Sequence, residues 1–149
     1  MAAEITEQIL EAVKTALSGA VPAVGTRVER ARVDAIAPAE CPFIEIAQIS
    51  DTADPDSVEG DIHSCSLTFV VAIHVQGGAG VWETVASQIA VLAHPLIVGI
   101  ALPAGVEQVF GPGSSNFVAA PGDGRPAYRA MTYQATYYRQ AAALDTAVP

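Results

Sequence analysis

The sequence predicts an α+β fold: a mixed, largely antiparallel β-sheet with two main helices packed on one face. Three observations predict it. Residues 64–76, SCSLTFVVAIHVQ, place Cys65, Leu67, Phe69, Val71, Ile73 and Val75 on one side of an extended strand. Ser64, Ser66, Thr68, His74 and Gln76 fall on the other side, because strand side chains alternate with a period of 2. Residues 127–138, AYRAMTYQATYY, alternate in the same way and carry the aromatic and β-branched content of a strand. Finally, two stretches repeat apolar residues at spacings of three and four, which marks amphipathic helices.

Residues 4–17 form the first helix. Ile5, Ile9, Val13 and Leu17 make its stripe, joined by Leu10 and Ala16. Glu4, Glu7 and Glu11 sit early, where the helix dipole favours acids. Gly19 and Pro22 mark its end. Residues 24–33, VGTRVERARV, read as a short strand or extended arm carrying Arg27, Arg30 and Arg32, three of the seven basic side chains. A proline-flanked loop at 37–41 leads to a strand at 43–49, FIEIAQI, whose pattern predicts partial burial on both faces. Residues 51–61 carry Asp51, Asp54, Asp56, Glu59 and Asp61 with no base among them, and read as a solvated hairpin connection. Gly77-Gly78-Ala79-Gly80 ends the central strand. Residues 82–96 make the second helix, with Trp82, Val85, Ile89, Leu92 and Leu96 as its stripe and Pro95 near its end. In the Gly/Pro-rich stretch 98–126, residues 106–110 and 116–119 read as two short strands around a Gly111-Pro112-Gly113 turn. Residues 1–3 and 140–149 read as frayed ends.

The chain has 149 residues, 51% of them hydrophobic, so one domain with one core is expected. Its two cysteines, Cys41 and Cys65, do not make a disulfide framework, which predicts a reducing compartment. The acidic start lacks the basic n-region of a signal peptide, and no run reaches the roughly 18 apolar residues of a membrane span. The formal charge of −9, from 16 acids against 7 bases, disfavours nucleic-acid binding, which depends on Lys and Arg displacing counterions.

Signals for chemistry are weak throughout. The acidic run fails the calcium-loop pattern, since Val58 and Glu59 occupy the fifth and sixth positions counted from Asp54. The glycines at 77–80 lack the Lys-Ser/Thr of a phosphate loop. A His63–Cys65–Cys41 metal site is conceivable but lacks a fourth ligand. No G-x-S-x-G elbow is present, and the only paired acids lie in a polar stretch without the apolar pocket that would raise one of them. No catalytic, cofactor-binding or metal residue is assigned.

The order of elements carries more. The opening helix EQILEAVKTAL, GTRV with Arg27, CPFIEI introduced by Pro42, SLTFVVAIHV, a helix led by Trp82, and TYQATYY follow one another from about residue 5 to 139. In that order and spacing the chain resembles the tail terminator family of long-tailed (siphovirus) phages, the group that includes the lambda-type minor tail protein U. The resemblance implies a small α+β structural virion protein that forms a homo-hexameric ring. Such a ring caps the tail tube protein, ends tube polymerisation and presents a docking surface to the head-neck connector. It implies no enzymatic activity and no cofactor, assembly in the host cytoplasm, and a place at the head-proximal end of the virion tail. DNA would pass through the lumen without specific binding, and no membrane would be involved. Arg27 and Tyr137 occupy family-like positions. The 98–126 stretch departs from the family pattern.

Charge segregation along the chain fits this picture. In a ring, Arg27, Arg30 and Arg32 are expected to meet Asp51, Asp54, Asp56, Glu59 and Asp61 of the next copy, and an acidic lumen would repel passing DNA. Two other classes compete. One is a neighbouring neck, head-tail connector or tail-completion protein. The other is a small-molecule binding domain or an unrecognised hydrolase, which needs a pocket with convergent polar groups.

Overall fold

The central alternating run forms the middle strand of a five-stranded sheet, and its apolar side chains lie at the bottom of the core. The computed structural model describes residues 4–59, 62–76, 81–102, 106–120 and 126–140, with backbone alone for 55–59. The elements are α1 (Ile5–Leu17), β1 (Val28–Arg30), a 3-10 turn (Pro38–Glu40), β2 (Phe43–Glu59), β3 (Ile62–Val75), α2 (Trp82–Val98), β4 (Val106–Val118) and β5 (Ala127–Gln140). The sheet order is β1-β2-β3-β5-β4; β1 runs parallel to β2 and every other pairing is antiparallel. The fold is α+β.

One face of the sheet is apolar. Ile44 and Ile46, then Leu67, Phe69, Val71 and Ile73, then Met131, Tyr133, Ala135 and Tyr137 are buried there in a single cluster with both helices. α1 contributes Ile5, Ile9, Leu10, Val13 and Leu17 to it. Full burial of side chains of this size stabilises the fold by about 1.5–3 kcal/mol each, so this face dominates the energetics.

The acidic run is not a hairpin connection. β2 continues through Asp51 and Asp54 to Glu59, with Asp51 opposite Leu67, Ala53 opposite Cys65 and Asp54 opposite Ser64. A register shift between Gln48 and Ser50 puts an extra residue, Ile49, into β2. That bulge swaps which residues face the core, from even numbers before it to odd numbers after it. It explains the mixed pattern of 43–49 and leaves Ile49 exposed.

The Gly111-Pro112-Gly113 segment is likewise not a turn between two strands. β4 is one strand with a register shift between Phe110 and Ser114, held by pairing along β5. Gly111 sits at φ 143°, and a Cβ there would lie 2.9 Å from the Tyr133 ring and 3.0 Å from the Thr132 carbonyl. Only glycine lets the two strands approach this closely.

α2 passes Pro95 and ends at Val98. Proline there removes the N–H that would bond the carbonyl of Val91, a residue on the solvent side of the helix. The buried stripe is Trp82, Ala86, Ile89, Ala90, Ala93 and Ile97 rather than one passing through Leu92, which is exposed. Three alanines against the sheet let the helix pack closely and turn its larger residues outward. In the arm at 24–33 only Val28–Arg30 is strand; Val24 is buried in the core. Gln140, expected to be frayed, is the last residue of β5. Residues 1–3, 60–61, 77–80, 103–105, 121–125 and 141–149 lie outside the described residues.

Because β1 and β2 are parallel neighbours, the chain must return between them. Residues 31–42 make that return as a strap over the sheet face opposite the helices. It is pinned there by Ile36, which is buried, by Arg32 stacked 5.1 Å over the Phe43 ring, and by a hydrogen bond from Gln76 Nε2 to the Pro38 carbonyl.

Candidate functional site

Under the strap, four strands present one aligned row. Phe43 pairs with His74, His74 with Tyr128, and Tyr128 with Val118. The His74 and Tyr128 rings lie 5.3 Å apart. Glu45, two residues along β2 from Phe43, shares their face. Together with Asp34, Ala35 and Ile36 of the strap, and with Pro126, these residues line a cavity of about 390 Å³. Its walls combine apolar surface with two carboxylates, an imidazole and a phenol, the mixture typical of a ligand site.

The electrostatics of the cavity follow from burial. The His74 side chain is 13% exposed, and its Nε2 is buried with no hydrogen-bond partner; Glu45 Oε1 lies 3.7 Å away. Burial, with the nearby Arg32 charge adding to it, pushes the His74 pKa down to about 4. At neutral pH the imidazole is therefore uncharged, and the 3.7 Å contact is not an ion pair. Burial pushes the Glu45 carboxyl up; Arg32 opposes that shift and Glu29 adds to it. Glu29 stands directly opposite Glu45 in the β1–β2 register, an arrangement in which like charges repel. The described polar side chains of the cavity, Asp34, Glu45, His74 and Tyr128, offer chiefly acceptors on a shaped wall.

The arginines are used inside the chain. Arg27 donates from Nε to the Pro42 carbonyl and from its terminal nitrogen to the Ala23 carbonyl, each at 2.8 Å. Arg30 donates to Glu7 at 2.9 Å and to Glu11 at 2.8 Å, tying β1 to α1. Arg32 pairs with Glu40 at 2.9 Å and lies 3.8 Å from Glu29. Arg30 and Arg32 thus spend their charge on acids of the same chain, and Arg27 is held by backbone carbonyls. Asp51 accepts a 2.7 Å hydrogen bond from the Tyr137 hydroxyl. Asp54 lies opposite Ser64 on the same strand pair. The side chains of Asp56 and Glu59, and the whole of Asp61, lie outside the described residues.

The His63–Cys65–Cys41 site does not form. Cys65 pairs in register with Ala53, whereas Cys41 precedes Phe43, which pairs with His74 at the other end of β3. Cys65 Sγ accepts from Arg139 Nε at 3.2 Å, and Cys41 lies against the Ala37 carbonyl. Among the described residues no three His, Cys, Asp or Glu side chains converge to hold a metal ion. No described helix is long and apolar enough to cross a membrane.

A second surface stands out on α2. Its outward face carries Val91, 73% exposed, and Leu92, 50% exposed, with Val98 about two turns beyond Val91. Val81 and Phe117 are exposed at the start of the helix, where Phe117 packs on Trp82, with Glu83, Thr84, Ser87 and Gln88 between them and Val91. Glu83 is the only charged residue of the helix.

Comparison of the chain with protein-family models and with curated protein sequences finds no match. Of the residues that define the cavity, the sequence singled out only His74, as a histidine on the polar face of β3. Glu45, Tyr128 and Asp34 carry no local signal, because only the cross-strand register and the strap bring them together.

Proposed function

We propose that this chain is a structural assembly protein of the tail-terminator type: a homo-hexameric ring that caps a phage tail tube, stops its growth and offers the head-docking surface. The observation that supports this reading most is the outward face of α2. The first half of the helix turns Glu83, Thr84 and Gln88 to solvent, whereas the second half turns Val91, Leu92 and Val98 outward, and exposed apolar side chains grouped on one surface mark a contact. In a chain of net charge −9, the stretch 91–98, which holds no Asp, Glu, Lys or Arg, is where copies meet with least repulsion. The arginines already have partners within the chain, so contact through α2 is proposed in place of an arginine-to-acid contact between copies.

A ring needs a heterologous contact, one patch meeting a different patch on the next copy. α2 packs beside β4, at one end of the sheet order, while exposed Val33 and Ile49 lie near β1 and β2 at the other end. Head-to-tail contact between those two ends closes a ring. Strand-to-strand joining is less suited, since β4 carries a proline and a bulge and β2 carries acids along its free edge, both of which blunt an edge. No catalysis and no cofactor is part of this reading. The acidic composition suits a lumen through which DNA passes without sticking, and the protein would reside at the head-proximal end of the tail after assembly in the host cytoplasm.

The test is tube growth. With the chain added to polymerising tail tubes, electron micrographs should show shorter tubes carrying a cap at one end. Unchanged length and bare ends would overturn the reading, and binding to the capsid portal in place of tubes would favour a neck or tail-completion protein.

A further inference from the structure

We propose that the cavity beneath the strap is a receptor for a primary ammonium group on a short aliphatic stem, held by Glu45 and Asp34 against the His74–Tyr128 wall. Charge is the first argument. Among the described residues, the guanidinium within reach of Glu29, Asp34, Glu40 and Glu45 is Arg32, while Arg27 is turned to the Ala23 and Pro42 carbonyls. Arg32 is engaged by Glu40 and Glu29 and stacked on Phe43. Glu45 and Asp34, which line the cavity, hold the acceptor capacity left over. The Glu29–Glu45 juxtaposition, unfavourable in itself, is relieved by a further cation arriving at Glu45.

Hydrogen bonding is the second. His74 Nε2 is shielded from water and unpartnered beside Glu45; a buried polar nitrogen without a partner is costly, so it gains from a donor delivered to that spot. An ammonium brings three donors around a compact charge, which suits acceptors spread over strap and sheet. A planar guanidinium is better matched by one bidentate carboxylate. The Tyr128 ring offers a face to a cation, and Ile36 and Val118 give an alkyl stem an apolar wall.

Two sources supply this chemistry: a lysine side chain of a partner protein, or a free alkylamine. The inference stands independently of ring formation, because the site lies within one chain. It is tested by NMR titration of the His74 and Tyr128 ring resonances in the full chain. n-Butylammonium should shift both saturably, while n-butanol, its neutral counterpart, should not. Glu45→Gln and Asp34→Asn should each weaken the response at least tenfold; Asp34 lies on the exposed strap, so its variant reads binding even if Glu45→Gln unfolds. Equal or tighter binding of N-acetyl-lysine methylamide assigns the site to a partner's lysine, and its exclusion while butylammonium binds assigns a free amine. Absence of saturable shifts, an equal response to butanol, or full binding by Asp34→Asn would overturn the proposal.

Discussion

The Tyr137 hydroxyl donates a 2.7 Å hydrogen bond to Asp51 Oδ1, joining the last strand to the acidic half of β2 across the intervening β3. Tyr137 is 2% exposed, and burial first, then the bond to Asp51, holds its phenol well above the ordinary range. Tyr137→Phe keeps the ring in the core and removes only the donor. A hydrogen bond to a charged group is worth about 1.5–3 kcal/mol, and water can reach the half-buried Asp51 in part, so we expect a loss near the lower end. Urea unfolding should show a lower midpoint with an unchanged slope; an unchanged midpoint would make the contact incidental.

Tyr133 links the same strand to α2, with its hydroxyl 2.9 Å from His94 Nδ1 and its ring stacked on Phe69. Burial, opposed by Arg129, pushes its pKa up to about 12. The folded state thus holds the phenolic proton more tightly than the unfolded chain, whose tyrosines ionise at about pH 10. The resulting stabilisation is fully present below that pH and is lost as pH rises through the folded value. Tyrosinate absorbance should retain a late-titrating fraction that shrinks in Tyr133→Phe. Complete ionisation by about pH 11 in a still-folded chain would contradict this.

Arg30 clamps α1 to β1 through Glu7 and Glu11. Its hydrogen bond pulls the Glu7 carboxyl below its ordinary range. This stabilisation is present above the unfolded carboxylate value of about 4.3 and is lost as pH falls through the lower folded value. Both acids are half-exposed, so each pair contributes about 0–1 kcal/mol. We expect Arg30→Gln to destabilise modestly at neutral pH, with the difference from the parent closing in acid as measured by urea unfolding. A penalty that does not change with pH would show that the arginine acts by packing alone.

How much of this was legible in the sequence depends on what each residue answers to. α1, β3 and β5 obey a simple period, and their buried faces follow it, with Thr6 and Ala72 buried in addition and Ala16 only partly buried. β2 did not, because one inserted residue at Ile49 reverses inside and outside halfway along it. β4 hid behind Gly111-Pro112-Gly113, which reads as a turn until Tyr133 is seen to require a glycine there. The second half of α2 is apolar on more than one face, so periodicity selected Leu92 where the close approach of Ala86 and Ala93 decides. The partners of Arg30 and Arg32 were not legible, because Glu7, Glu11 and Glu40 lie elsewhere in the chain and only the fold brings them to the arginines. The cavity was out of reach, being made by a strap and by register, neither of which leaves a local motif.

Val91 and Leu92 carry the central claim, since a lone molecule has no use for them on its surface. The most direct measurement is native mass over a concentration series, alone and with tail tubes, for the parent chain and for the Val91→Lys/Leu92→Lys double variant. Surface changes of this kind alter stability by only about 0.5 kcal/mol each, so the variant should fold. The result expected is a closed multimer of the parent, six chains in the ring proposed, and a 15.3 kDa single chain for the variant. A parent that stays at 15.3 kDa throughout, or a variant that assembles as the parent does, would contradict it.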